Sequence, residues 1–222
     1  MRMRRKKFLE ERTNNAKDKL IDVPILDLNA SVDVGDDYLI DFKEIFNNNN
    51  DVVLEIGCGK GQFAINYATK YPNENMIAVE MLSNVIVKAL EDSKPLSLNN
   101  LRFIVTRAEY LNRYIKEGSI SKIFLNFSTP CPKKTQENRR LTYDRYLELY
   151  KKLLTKDGLI IQKTDNEEFY NYSLEQYKKF GYKVLEENTN TIDPNNIETE
   201  YESKFKKLNM PIYRIIVQKQ TI

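Results

Sequence analysis

Three of the seven glycines in the chain stand within five residues, in the segment VLEIGCGKGQF at positions 53–63. They follow an apolar run and precede an amphipathic stretch, so the pattern predicts a strand, a tight glycine loop and a helix. Glycine lets the backbone turn sharply and lets a ligand approach where a Cβ atom would clash. Glu55 precedes this loop, and Glu80 ends the next apolar run, MIAVE. Two carboxylates at this place favour a cationic cofactor, with Glu80 able to accept hydrogen bonds from ribose hydroxyls.

A second segment with chemical character is NFSTPCPKK at 126–134. Pro130 and Pro132 fix their own φ angles and restrict the residues before them, which predicts a stiff loop able to hold a planar base near a methyl group. Four basic residues follow or end this segment and suit phosphates and base edges: Lys133, Lys134, Arg139 and Arg140.

Short apolar runs predict the strands that position these loops, at 51–57, 76–80, 101–106, 122–127 and 159–164. Between them lie stretches with apolar residues at helical spacing, at 62–70, 84–92, 142–154 and 167–180. This alternation indicates an α/β fold with a mostly parallel sheet covered by helices on both faces. The stretch 213–220 predicts one more strand, antiparallel at an edge.

Composition limits the classes of protein that fit. The length of 222 residues suits one domain, predicted at 21–222 behind a basic N-terminal arm at 1–20. No apolar run approaches the roughly 18 residues of a membrane helix, and two cysteines give no disulfide framework, so we expect a cytoplasmic protein without a membrane partner. The chain has no histidine, which excludes an imidazole base or a histidine-ligated metal, and we expect no metal.

Positive charge is concentrated in two blocks although the formal net charge is only +3. Residues 1–20 hold eight Lys and Arg against three Asp and Glu, and residues 122–152 show the same balance. Two basic blocks separated by an acidic stretch favour a polyanion bound on one face.

The glycine loop with its two acidic residues resembles that of class I S-adenosylmethionine-dependent methyltransferases, which have E-x-G-x-G-x-G at the end of the first strand. The resemblance implies a Rossmann-like, seven-stranded sheet and S-adenosylmethionine as cofactor. It implies that the cofactor is held by Glu55, Gly57, Gly59, Gly61 and Glu80, joined by Arg107, Ala108 and Thr129.

Over nearly the whole chain the sequence is similar to one family, the bacterial tRNA (guanine-N7)-methyltransferases. NFSTPCPKKTQENRRL at 126–141 resembles the family signature N-F-x-D-P-W-P-K-x-R-H-x-K-R-R-L, and KTDN at 163–166 and TEYESKF at 199–205 agree with two further motifs. The implied reaction transfers a methyl group to N7 of a guanosine in the variable loop of tRNA, by a monomer or homodimer.

The same resemblance implies the residues that bind the RNA, and some of these assignments have a purely structural alternative. The residues are Lys133, Arg139, Arg140, Asp165, Thr199, Glu200, Tyr201 and Glu202. Arg2, Arg4, Arg5 and Lys6 are expected to bind phosphates. As alternatives, Asp165 and Asn166 would only turn the chain and cap a helix, and TEYE is also a capping box.

The sequence departs from the family at the presumed catalytic position, where Thr129 replaces aspartate and Cys131 replaces tryptophan. Thr129 and Asp165 are the candidate catalytic residues. N7 of guanine carries no proton, so positioning and electrostatics could support transfer without a general base, and a slower enzyme is expected. Two alternatives remain open: a tRNA-binding protein that has lost catalysis, and a cytosine-C5 methyltransferase that uses Cys131 as its nucleophile.

Overall fold

The computed structural model of the protein describes residues 6–24, 38–189 and 196–220. Its strands are β1 (Leu20–Ile21), β2 (Val52–Ile56), β3 (Asn75–Glu80), β4 (Leu101–Val105), β5 (Ile120–Asn126), β6 (Leu154–Thr164), β7 (Lys183–Thr189) and β8 (Tyr213–Gln218). Its α-helices are α1 (Leu9–Asn15), α2 (Phe42–Phe46), α3 (Gln62–Lys70), α4 (Ser83–Ser93), α5 (Asp144–Leu153), α6 (Glu167–Lys179) and α7 (Glu200–Lys207). Short 3-10 helices span Lys17–Lys19, Ala108–Arg113 and Lys134–Arg139.

The strands form one sheet in the order β1-β4-β3-β2-β5-β6-β8-β7. Strands β1 to β6 run parallel to one another, whereas β8 runs antiparallel to both β6 and β7. The strand order reverses at β2, since β3 lies on one side of it and β5 on the other. Ligands of open α/β sheets bind at such a switch point, beyond the carboxyl ends of the strands.

The two central strands are buried along their whole length because helices cover both faces of the sheet. Alternate residues enter two separate clusters: Leu54 and Ile77 face the cluster that includes α5, and Val53 and Met76 face the one that includes α3 and α4. The rigid centre of the fold therefore carries the glycine loop at its carboxyl edge.

The structure confirms the α/β class, the mostly parallel sheet and the antiparallel last strand. The expectation that this strand lies at an edge was wrong, because β7 pairs with the outer side of β8. The sheet has an eighth strand where seven were expected, because the two-residue β1 is too short to leave a pattern. The helix expected at 142–154 begins only at Asp144, since Tyr143 has an extended backbone and takes the cap position. Helices α1, α2 and α7 and strand β7 had not been assigned, and β7 is a largely exposed, charged edge strand with little apolar periodicity.

The described part of the predicted N-terminal arm packs against the rest of the protein. Helix α1 packs against α4, Leu9 and Ala16 are buried, and Arg12 forms an ion pair of 2.6 Å with Glu91. Residues 9–21 are therefore integrated with the domain. Arg2, Arg4 and Arg5 lie outside the described residues. Within the described ranges, no helix has the length and apolar character needed to span a membrane.

Candidate active site

A cavity of about 620 Å³ opens at the carboxyl ends of β2, β3 and β5. Its walls are the glycine loop after β2, the end of β3, the start of the 3-10 helix at Ala108–Arg113, the loop after β5 and the first turn of α7. The two sequence segments with chemical character thus meet in one place, although about 70 residues separate them.

The three glycines of the loop have different structural roles. Gly57 and Gly59 have left-handed φ angles of 82° and 58°, and no atom lies within 4 Å of a Cβ added to either, so their backbone is open to the cavity. Gly61 has φ 77°, and a Cβ there would lie 2.4 Å from the Cβ of Ala89. Gly61 therefore allows α3 to pack against α4 and does not line the cavity.

Glu80 is buried and bound to the glycine loop. Its Oε2 accepts a hydrogen bond of 3.2 Å from the backbone N–H of Gly59, and its Oε1 accepts one of 3.0 Å from Leu82. Each carboxylate oxygen keeps a further lone pair, so Glu80 can also accept hydrogen bonds from a ligand hydroxyl. Its carboxylate lines the cavity at the end of β3.

Glu55 is only 2% exposed and lines the cavity. Its Oε1 accepts a hydrogen bond of 3.0 Å from Asn126 Nδ2, whereas its Oε2 has no partner among the described residues. Burial raises the pKa of Glu55 to about 7, although the Asn126 bond acts in the opposite direction. Burial, together with Glu55, also raises the pKa of the adjacent Cys58 thiol.

The loop after β5 is held in an unusual backbone conformation. Phe127 and Cys131 have left-handed φ angles of 48° and 44°, which non-glycine residues seldom adopt. The guanidinium of Arg140, 6% exposed as a residue, donates to the carbonyls of Pro130 and Cys131 at 3.0 and 3.3 Å and lies 4.2 Å from the ring centroid of Tyr172. Arg140 thereby fixes this loop from the protein side.

The wall formed by α7 is attached to the sheet by a buried ion pair. Lys163 at the end of β6 lies 2.8 Å from Glu202, with both side chains at most 7% exposed. Burial lowers the pKa of Lys163, and Glu202 offsets part of that effect. Glu202 also closes a capping box with Thr199, so the alternative structural role expected for TEYE is present.

An aromatic stack joins α7 to the loop after β5. The Tyr201 ring lies 5.9 Å from that of Phe127 at an interplanar angle of 26°, and Phe205 contacts both rings. Tyr201 is 55% exposed and lines the cavity, so one side of its ring is available to a ligand.

The structure brings most of the predicted site residues together around the cavity. Those that line it are Glu55, Gly57, Gly59, Glu80, Arg107, Ala108, Thr129, Arg139, Thr199, Glu200 and Tyr201. Five others do not line it: Gly61, Lys133, Arg140, Asp165 and Glu202.

The five residues outside the cavity wall fall into two groups. Gly61, Arg140 and Glu202 have the packing or positioning contacts described above. The predicted phosphate contact of Arg140 does not fit, because its guanidinium is buried against the protein's own carbonyls. Lys133 is exposed, and Asp165 lies half-buried in the turn before α6, which is capped by Asn166 and not by Asp165.

Two groups of the cavity were missed from the sequence. Asn126 and Ser128 have buried polar atoms without a partner in the described part of the chain, and the polar end of an apolar strand was the available signal for Asn126. Lys60 pairs with Glu200 at 2.7 Å across 140 residues, a contact without a sequence signal. In the described ranges no group of three or more Cys, Asp or Glu residues is placed to hold a metal ion.

The sheet order, the glycine loop after the central strand and the acidic ends of β2 and β3 define a methyltransferase of the class I fold. A family model described as "Putative methyltransferase" matches residues 49–215. The 16S rRNA methyltransferase KamB has a similar fold, with a TM-score of 0.61 at 14% identity over 81% of this chain and 93% of that one.

Sequence similarity to individual enzymes is higher. The chain is 41% identical over 187 residues to the tRNA (guanine-N(7)-)-methyltransferase of Staphylococcus saprophyticus, covering 83% of this chain and 89% of that protein. It is 37% identical over 189 residues to the enzyme of the same name from Bacillus subtilis, covering 83% and 88%. The chain belongs to the tRNA (guanine-N(7)-)-methyltransferase family.

Proposed function

We propose that this protein transfers a methyl group from S-adenosylmethionine to N7 of a guanosine in the variable loop of tRNA. The observation that carries the proposal is one cavity that combines an acidic, glycine-lined pocket with the signature loop of the family. Family membership supports the base and the atom that is methylated, and the two basic blocks of the chain support an RNA substrate.

The residues of the pocket fit S-adenosylmethionine. Glu55 offers a buried carboxylate oxygen without a partner, which suits the cationic methionine end. Glu80 has acceptor capacity for the ribose hydroxyls, and the open backbone of Gly57 and Gly59 leaves room for the chain between these ends. Ala108 begins a 3-10 helix at the cavity, and its backbone amide is a candidate contact for the adenine.

When bound, S-adenosylmethionine supplies a methyl group on a sulfonium, which N7 accepts through its lone pair to leave S-adenosylhomocysteine and a positively charged purine. The protein has to hold the base in line and stabilise that charge. Thr129, at the cavity wall, contributes a hydroxyl where the family signature has a carboxylate. The carboxylates of Glu55 and Glu80, which also line the cavity, are further groups that can stabilise positive charge there.

Residues on the outer side of the cavity are assigned to the RNA. Tyr201 offers an exposed ring face for stacking on a base, and Arg139 at the cavity wall suits a phosphate. Lys133 and Asp165 lie outside the wall, so they are proposed to contact nucleotides that flank the guanosine. We therefore expect that substitution of any of these four residues weakens tRNA binding.

The test is mass spectrometry of nucleosides from unmodified tRNA incubated with the protein and S-adenosylmethionine. We expect 7-methylguanosine. Thr129→Asp should accelerate its formation roughly tenfold, while Thr129→Asn, of the same shape without the charge, should not. Formation of 5-methylcytidine that is lost in Cys131→Ser would instead show the cysteine mechanism. Salt-dependent tRNA binding without any methylated product would show a binding protein on this fold.

A further inference from the structure

Among the residues that the structure describes, three that line the cavity have a buried polar atom without a partner: Glu55 Oε2, Asn126 Oδ1 and Ser128 Oγ. Buried polar groups in native proteins are nearly always hydrogen-bonded, so a group of three facing one cavity indicates a ligand that supplies their partners.

The hydrogen bond between Glu55 and Asn126 fixes which atoms remain. When Glu55 is ionised, as it is above pH 7 or beside a bound cation, its carboxylate only accepts, so Asn126 presents its amide nitrogen to Glu55 Oε1, at 3.0 Å. This leaves Oδ1 as the other polar atom of Asn126. Both Glu55 Oε2 and Asn126 Oδ1 are therefore acceptors, and one of them belongs to a carboxylate.

The two side chains are neighbours because of the sheet register. Glu55 pairs with Phe124 across β2 and β5, and Asn126 is the next residue of β5 on the same face, at the carboxyl end of the strand. A pair of adjacent acceptors with one negative charge complements a cation that carries several N–H donors. A metal ion would require more ligands than these two side chains provide.

We propose that Asn126 is a cofactor-binding residue whose Oδ1, together with Glu55 Oε2, accepts hydrogen bonds from the α-ammonium group of the methionine end of S-adenosylmethionine. This inference rests on the proposed function and adds a binding residue to it. Asn126 also orients the Glu55 carboxylate through Nδ2. The Asn126 side chain therefore both positions Glu55 and binds the same ammonium group.

The test measures the affinity of the protein for three ligands by titration calorimetry. S-adenosylhomocysteine carries the α-ammonium group. Its deamino analogue keeps the carboxylate but lacks that group, and 5′-methylthioadenosine lacks the whole amino-acid end. Asn126→Ala should weaken S-adenosylhomocysteine binding about tenfold or more and change binding of the other two less than about twofold. Asn99→Ala, at an exposed asparagine before β4, is the matched control and should change none of them.

The outcomes separate the inference from the proposed function. Wild-type protein that binds none of the three ligands would contradict the cofactor assignment itself. Wild-type protein that binds S-adenosylhomocysteine and its deamino analogue equally well would overturn the ammonium site, and this result does not depend on any variant folding. If Asn126→Ala reduced the affinity for all three ligands equally and left the unfolding temperature unchanged, the inference would also be overturned. Asn126 would then have a general role in shaping the cavity.

Discussion

Lys60 and Glu200 form an ion pair of 2.7 Å that joins the glycine loop to the first turn of α7. Both residues line the cavity, so the pair bridges two of its walls. The side chains are 58% and 55% exposed, and exposed pairs of this kind contribute little to stability.

A double-mutant cycle with Lys60→Met and Glu200→Gln should give a coupling energy below about 1 kcal/mol in chemical denaturation. The coupling should decrease further in 0.5 M salt because exposed charges are screened over roughly 10 Å or less. The same cycle with Lys163→Met and Glu202→Gln, at the buried pair, serves as the comparison and should give a larger coupling. A coupling energy of several kcal/mol between Lys60 and Glu200 would contradict the expectation that this exposed ion pair contributes little to stability.

Arg140→Lys should lower the free energy of unfolding by roughly 2–3 kcal/mol, although it preserves the charge. Lysine cannot reproduce the planar guanidinium that donates to two carbonyls and lies over Tyr172. Because the same contacts fix the loop of Thr129, kcat should fall more than the KM for tRNA rises. Denaturant unfolding and steady-state kinetics measure the two effects.

The matched control for Arg140 is Arg113→Lys, at a half-buried arginine that also lies over a tyrosine ring but away from the cavity. It should cost less than about 1 kcal/mol and leave kcat unchanged. If Arg140→Lys raised KM alone, the predicted phosphate contact of Arg140 would be supported instead of loop positioning.

Gly61→Ala should destabilise the protein by roughly 2–4 kcal/mol, because it adds both left-handed strain and a clash with Ala89. Gly118→Ala, at φ 68° with no atom within 4 Å of the added Cβ, isolates the strain and should cost about 1 kcal/mol. Adding Ala89→Gly to Gly61→Ala should recover part of the loss. Thermal unfolding of the four proteins tests this, and equal costs at Gly61 and Gly118 would exclude the clash.

Glu55→Gln should stabilise the ligand-free protein at pH 8 by roughly 1–3 kcal/mol while abolishing tight binding of S-adenosylhomocysteine. The folded-state pKa of Glu55 is raised to about 7, so its unfavourable contribution is absent below the unfolded-state pKa and grows as pH rises through 7. Glu80 adds to this shift and Lys163 opposes it.

The pH dependence provides the internal control for Glu55. At about pH 3, below the usual pKa of a free glutamate, the carboxyl is protonated in both states, and the stability difference between Glu55→Gln and wild type should vanish. Denaturation curves at about pH 3, 6 and 8 measure it. A difference that stays constant across this range would mean that the charge of Glu55 is not its cause.

The sequence was sufficient to predict the central strands and the two loops at their carboxyl ends, because buried strands and glycine or proline loops leave local patterns. It could not distinguish Gly61 from Gly57 and Gly59, since the distinction depends on Ala89 in the next helix. It also assigned Arg140 to RNA, because its burial depends on Tyr172 and on the carbonyls of a folded loop. Residues of the same type and similar spacing can therefore have different roles, and contacts with distant segments of the chain determine which role each residue has.

The first described residue, Lys6, is hydrogen-bonded to a residue close to the cavity wall. The backbone N–H of Lys6 donates to Asn84 Oδ1 at 2.8 Å, and Leu82 and Val85 beside Asn84 line the cavity. At the other terminus, Lys219 donates to the carbonyls of Gly158 and Leu154, near the amino end of β6 and hence at the opposite edge of the sheet. A fluorophore attached at Lys6 would therefore lie beside the cavity, whereas one attached at Lys219 would leave the cavity mouth clear.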